Sequence, residues 1–453
     1  MANDGRRTAW GPLAWLLLAL AALHAVATLQ LSTSTAYGDE PHYLEVAFED
    51  ADRGHTSLLP GKQRFDDSLS GRGSQPLYWA RVLAVLADSH GDPSDMAGLL
   101  DVSVWLNLLL LLATVACVYA LAATLGAGTV GSCVAAALIG LFPWYTFYAH
   151  TAWPEPIHGL LQCLVLLLLV RHLRGASIWW LALTGVALGF ALLIKSTLQS
   201  FVPVFAVFVG LAPLVRGPAS AKAALRGLCA VALLVGGLAL VVVPQLATNE
   251  ENGHGWRIAA HTWWNLETGL GMPAPRDDPK AFTEPEGTRP YWRDLRIEFV
   301  KFNTPAAREA AARKRTLALL ESRPVTETLS RQFEKLVWVV TDSETPLARA
   351  LRKERWGPEP PGWISLADQL AWFHWFGLLI LGTLGLLTGF WRGAGPLLLT
   401  AFTAAFVVAM LAVPLKLRFA MPLVPVLSVF AGLAVGLVTS RGGTSSVADP
   451  PPG

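Results

Sequence analysis

The stretch Val102–Leu125, VSVWLNLLLLLATVACVYALAATL, holds 24 residues without a charge. As a helix it is about 36 Å long, enough to cross a hydrocarbon core about 30 Å thick. In lipid, a run of this length has only the helix with which to satisfy its backbone amides internally. Comparable runs flank it at Ala9–Leu31, Val130–Ala149, Trp153–Val170, Ser177–Ile194, Leu198–Val215, Gly227–Leu246, Leu366–Phe390, Gly395–Val413 and Phe419–Thr439. The 453 residues are 53% hydrophobic and 15% charged, against about 25% charged in soluble domains. A soluble enzyme is excluded. The expected fold is an all-α integral membrane bundle of about ten spans.

A net charge of +2 gives no reason to expect a nucleic-acid partner. All four cysteines, Cys117, Cys133, Cys163 and Cys229, fall in apolar runs, which argues against disulfides and cysteine-bound metal and for apolar packing. Arg6 and Arg7 precede the first span, so a cytoplasmic N-terminus is expected. Alternation then puts Arg171, Arg174, Arg216, Lys222, Arg226, Arg392 and Arg441 on the cytoplasmic side. The first span also has the ingredients of a cleaved signal sequence, ending in Ala25-Val26-Ala27, although its apolar run is long for one. Lys195, Lys416 and Arg418 break the charge rule by falling in short outer turns, and an anionic ligand at that face supplies a reason. The bland reading is that cations at membrane edges snorkel to headgroups.

Four regions are expected: an N-terminal membrane module, residues 1–246, including a first outer loop at 32–101; an outer segment at 247–365; C-terminal spans at 366–439; and a disordered cytoplasmic tail at 440–453. The first outer loop carries twelve acidic and five basic residues. Its segment from Gln75 to Asp88 is too short to cross and reads as a helix at the interface. In the second outer segment, Thr304-Pro305 opens a helix running to Glu321. Beyond Pro324, Leu329, Phe333, Leu336, Val337 and Val340 recur at helical spacing and predict an amphipathic helix lying on the membrane. Seven of the 18 Trp fall in this segment, as interface anchors or as platforms on which a sugar stacks.

The polar groups at span ends carry the chemistry. Asp39 and Glu40, followed by His42 and Tyr43, put two carboxylates and hydrogen-bonding groups where a lipid headgroup sits; the competing reading is a solvated loop. Glu155 and His158 share one side of a helix beginning near Pro156, and an intramembrane carboxylate is costly and functional by default. Its structural alternative is an ion pair with Lys195. A metal reading of Glu155-x-x-His158 needs a second copy on a facing helix, and the other copy, Glu251 to His254, falls in a glycine-containing loop.

These residues resemble landmarks of the GT-C superfamily of polyprenyl-phosphate-sugar glycosyltransferases, in particular the branch of protein O-mannosyltransferases and the lipid A aminoarabinose transferase. Asp39-Glu40-x-x-Tyr43-x-Glu45 is similar to the first-loop Asp-Glu-x-x-Tyr-x-Glu motif, and Pro76-Leu77-Tyr78-Trp79 to the Pro-Pro-Leu-Tyr segment that follows it. Glu155 in its Pro-Glu setting, with the later span ending at Lys195, is the third landmark. Lys416-Leu417-Arg418-Phe419-Ala420-Met421-Pro422 resembles the Glu-Arg-Tyr-x-x-Pro stretch before the last helix, with Leu417 and Phe419 where the family has an acid and a tyrosine. Trp263-Trp264-Asn265-Leu266 sits where an Asn-Leu often follows the seventh span.

The resemblance implies an inverting transfer from a polyprenyl-phosphate sugar to an acceptor hydroxyl on a lipid, polymer or protein, at the extracytoplasmic face of the inner membrane. It implies Asp39 as general base with Glu40 supporting it or binding acceptor. Lys195, Lys416 and Arg418 would then hold the donor phosphate, and His42, Tyr43, Glu155, His158 and Asn265 would line the cavity. Some relatives need a divalent cation; the acidic first loop offers carboxylates for one, but no spacing demands it. The alternative class is a transporter or lipid flippase, disfavoured because the polar groups cluster at one face and no repeated halves are visible. A third is an inactive scaffold that binds through the outer segment.

Overall fold

The computed structural model describes residues 10–31, 40–52, 57–58, 78–90, 95–216, 218–251, 255–258, 262–274, 276–277, 305–341, 362–412 and 420–442. Asp39, Lys416, Arg418, the segment 75–77 and the tail beyond residue 442 lie outside these, as does the side chain of His42. The described helices are α1 Trp10–Leu31, α2 Glu40–Asp52, α3 Tyr78–His90, α4 Met96–Leu125, α5 Gly128–Gly140, α6 Pro143–Ala149, α7 Glu155–Leu173, α8 Trp180–Ile194, α9 Val202–Arg216 and α10 Ala221–Glu251. They continue as α11 Thr262–Gly271, α12 Pro305–Ser322, α13 Val325–Thr341, α14 Gly362–Gly389, α15 Ala394–Met410 and α16 Leu423–Gly442.

Among the described residues seven helices are long and apolar enough to cross a membrane: α1, α4, α7, α9 with the 3-10 turn Ser196–Phe201 before it, α10, α14 and α16. The expected single span Val130–Ala149 is instead two helices, α5 and α6, bent by 58°. Pro143 causes the break: it disfavours helical backbone at Phe142, which is extended at φ −70°, ψ 113°. Counted as one, that pair makes an eighth span; α8 and α15 are apolar but have only 15 and 17 residues. Length and composition therefore support seven or eight of the ten expected spans. The apolar surface points outward, as on Trp15, Leu18, Leu240, Phe373 and Ile380, the arrangement a lipid solvent favours.

Glycines fix how the helices run past one another. A methyl on Gly131 would meet the Gly432 carbonyl oxygen at 2.3 Å, and one on Gly436 would meet that of Ala127 at 2.1 Å, so α5 and α16 are antiparallel with backbones nearly touching. In the same way Gly382 meets Leu427 and Gly385 meets Phe430, making α14 and α16 parallel. Small residues allow this approach, which van der Waals packing then stabilises in lipid. Gly131→Ala should cost about 1–3 kcal/mol, the range for overpacking, and lower the melting temperature in detergent. Gly377→Ala, with nothing within 4 Å of the new methyl, is the control and should not.

The cysteines are free thiols. Cys163 is buried and Cys117 and Cys133 are half-buried, as packing residues should be, but Cys229 is exposed on α10.

Helices α11 to α13 form a polar unit. Glu309 accepts hydrogen bonds from Trp263 N (3.0 Å) and Trp264 N (3.1 Å) at the start of α11, and Arg315 pairs with Glu267. The amphipathic helix forms as expected, with Leu329, Phe333 and Val337 exposed. Its inner face holds Gln332, Lys335 and Val339; Lys335 Nζ donates to Gly269 O at 2.9 Å. Burial, then Arg323 and Arg331, pull the Lys335 ammonium down to about 7, against the opposing pull of Asp277. Between pH 7 and the ordinary value of 10.5 the unfolded chain holds a proton that the folded one has released, so stability should rise with pH across that window. Melts from pH 7 to 10 should show the rise in the native protein and its absence in Lys335→Met.

Candidate functional site

The corner between α6 and α7 is where the polar groups meet. Residues 150–154 turn the chain, and three elements fasten the turn. Glu40, at the start of α2, is fully buried and its Oε1 accepts from Ala152 N at 2.7 Å. Trp79 Nε1 of α3 donates to Ala152 O at 2.7 Å. Asn107 Nδ2 of α4 donates to Thr151 O at 2.6 Å and to Trp153 O at 3.0 Å. The Arg81–Asp50 pair at 3.2 Å joins α2 to α3, and Tyr43, Leu44, Trp79 and Leu83 form a small core there with Ala152. Helices α2 and α3 are thus fixed to the start of α7.

Helix α7 starts at Glu155, with Pro156 in the first turn, where a missing N–H costs nothing and a carboxylate suits the helix dipole. Glu155 Oε1 lies 2.7 Å from Lys195 Nζ; the side chains are 5% and 27% exposed. Lys195 follows the last residue of α8 with extended backbone, φ −155°, ψ 117°. That extended residue turns the chain from α8 into the 3-10 segment and sets the ammonium beside α7. The Tyr78 ring, 5.5 Å from Phe190, rests α3 on α8 one turn below Lys195. Burial pushes the Tyr78 hydroxyl up to about 12, so it stays a proton holder.

The residues leading into α16 close the same corner. Gln162 Nε2 donates to Pro422 O at 2.6 Å, and Tyr145 OH to Met421 O at 3.4 Å. Ala420, two positions after Arg418, is buried. Directions agree with this grouping: His24 in the second half of α1 bonds Gly140 O at 2.9 Å, so the end of α1, the starts of α2, α4, α7 and α16 and the end of α8 share one end of the bundle. At the opposite end Arg216 donates to His172 O.

The structure therefore brings together Glu40, Tyr43, Glu155, His158 and Lys195. Asn265 is exposed on α11, which packs on α12, and the Trp263 ring beside it is covered by Arg313 at 5.6 Å, which leaves that face unavailable to a sugar. Gln162 and Asn107 lie at the same corner, and the only sign of them in the sequence is an isolated amide within an apolar run; Tyr145, in the Pro143-Trp144-Tyr145 stretch that interrupts the apolar pattern, joins them through Met421 O. Among the described residues no three His, Cys, Asp or Glu side chains form a group suited to a metal ion.

No family model matches the chain, and no curated protein matches it. Among solved structures it is similar to the Archaeoglobus fulgidus oligosaccharyltransferase in the apo form, with 12% identity, a TM-score of 0.49 and coverage of 94% of this chain and 51% of that one. The same enzyme tethered to an acceptor peptide containing the NVT sequon gives 14% identity, a TM-score of 0.48 and coverage of 94% and 50%. ArnT from Cupriavidus metallidurans in the apo state gives 17% identity, a TM-score of 0.37 and coverage of 95% and 79%. The chain spans about half the length of the oligosaccharyltransferase.

Proposed function

We propose that this chain is a membrane glycosyltransferase that moves a sugar from a polyprenyl-phosphate carrier to an acceptor hydroxyl. The observation that carries the reading is the pair of buried Glu155 and half-buried Lys195 at a corner to which α2 and the start of α16 are both fastened. The sequence neighbours of those two fastened points, Asp39 and the pair Lys416 and Arg418, supply a base and phosphate-binding cations. In the reaction the acceptor oxygen attacks the anomeric carbon from the face opposite the phosphate, with inversion. Its proton passes to the Asp39 carboxylate, the bond from carbon to phosphate oxygen breaks, and polyprenyl phosphate departs. The leaving group is already a phosphate, so it needs charge neutralisation rather than a proton; Lys195, Lys416 and Arg418 provide it.

Glu40 serves the site by holding Ala152 N, and Tyr43 by packing behind it. The basic end of the bundle, with Arg171, Arg174 and Arg216, faces the cytoplasm under the positive-inside rule; the corner faces outward, at the inner membrane of a cell envelope. The exposed stripe of α13 rests on the outer leaflet. Purified protein given a panel of polyprenyl-phosphate sugars and acceptors should consume one donor and return the inverted anomer. Carrier movement across proteoliposomes with no donor consumed would replace the reading with a flippase.

A further inference from the structure

One face of α7 carries three polar side chains, each with a buried polar atom left unmatched. Glu155, His158 and Gln162 stand at i, i+3 and i+7, within an arc of about 60° and along about 10 Å of helix. Their exposures are 6%, 3% and 1%. Glu155 Oε2, His158 Nε2 and Gln162 Oε1 are buried without a hydrogen-bond partner. Two of the three are already oriented through their other polar atom, since Glu155 Oε1 is held by Lys195 and Gln162 Nε2 is spent on Pro422 O. What remains is a fixed row of acceptors: a carboxylate oxygen, an amide oxygen, and an imidazole nitrogen that accepts in one tautomer. Buried acceptors left unmatched are costly, and native proteins leave few of them.

We propose that this row is a subsite that reads the hydroxyl groups of the donor sugar ring. A row of acceptors calls for a ligand rich in donors, which a pyranose is and a phosphate is not. Lys195 marks the phosphate end of the row and Gln162 the far end, and about 10 Å accommodates one ring beyond a phosphate. Gln162 is thereby a specificity residue, and through Pro422 it also fixes the approach to α16. The proposal rests on the transferase reading above and sharpens it: recognition of the sugar lies in α7, within the bundle.

The test compares two probes on the purified full-length protein, polyprenyl phosphate and polyprenyl-phosphate hexose, with binding followed by tryptophan fluorescence. The native protein should bind the hexosyl carrier about ten- to a hundredfold more tightly than the bare one, the size of one or two buried hydrogen bonds. His158→Phe and Gln162→Leu should each erase that preference, and the readout is the ratio of hexosyl to bare-carrier affinity within each variant, because Gln162 also holds Pro422 O and its loss shifts the binding of both carriers together. A series of single-deoxy hexosyl carriers measured on native protein makes the same point without mutation, and at least one deoxy position should forfeit the preference. Equal binding of bare and hexosyl carriers by native protein would overturn the subsite and leave the transferase reading standing. Binding of neither would overturn both. A preference abolished by EDTA would also overturn the subsite, because the row would then be holding a cation.

Discussion

Asp39→Asn should lower transfer by about 10²–10⁴-fold, the usual contribution of a positioned general base, without shifting the melting temperature. The neighbouring carboxylate should not compensate. Glu40 is fully buried and its Oε1 is engaged by Ala152 N at 2.7 Å, so it cannot turn to the reacting carbon without unfastening the turn between α6 and α7. Single-turnover assays with labelled donor, run beside thermal melts, measure both effects. Turnover in Asp39→Asn at more than a tenth of the native rate would remove Asp39 from the role of base. Glu40→Gln keeps an acceptor for Ala152 N and should retain most activity, whereas Glu40→Ala should lose both stability and rate.

Lys195→Met should produce the second large effect, on two quantities at once. It strands the Glu155 carboxylate, 5% exposed. Breaking a buried pair costs about 3–5 kcal/mol; the low end, about 3 kcal/mol, applies because the Lys195 side chain is 27% exposed. It also removes one counter-charge from the departing phosphate, worth about 10²–10³ in rate by analogy with single oxyanion donors. The double variant Glu155→Gln with Lys195→Met separates these contributions: stability should return while transfer stays low. Recovery of both would make the pair a structural bolt and leave phosphate binding to other cations.

The spans were legible in the sequence because lipid imposes a length and a composition that no tertiary contact overrides. Their ends were less so. Pro143 is visible in the chain and breaks α5 from α6, but the 58° bend between the two pieces is a matter of how they pack; likewise α8 ends fifteen residues after it begins, where Lys195 turns toward Glu155. Glu155, His158 and Lys195 were readable because a charge or an imidazole in an apolar run stands out. Gln162 and Asn107 were not, since what gives them a role is a carbonyl 260 or 44 residues away along the chain. From the sequence Glu40 reads as a support for the base or a contact to acceptor, while its bond to Ala152 N spans 112 residues with no periodicity to announce it.

Helix α13 turns Gln332, Lys335 and Val339 toward its protein neighbours and leaves Val325, Leu329, Phe333 and Val337 exposed, so it presents an apolar stripe away from the protein. Residues 255–341, cut out and expressed alone, would therefore meet water with their greasiest side. Such a fragment would hide that side by clumping with its own copies, so an antigen or crystallisation target made from it needs detergent from the first purification step.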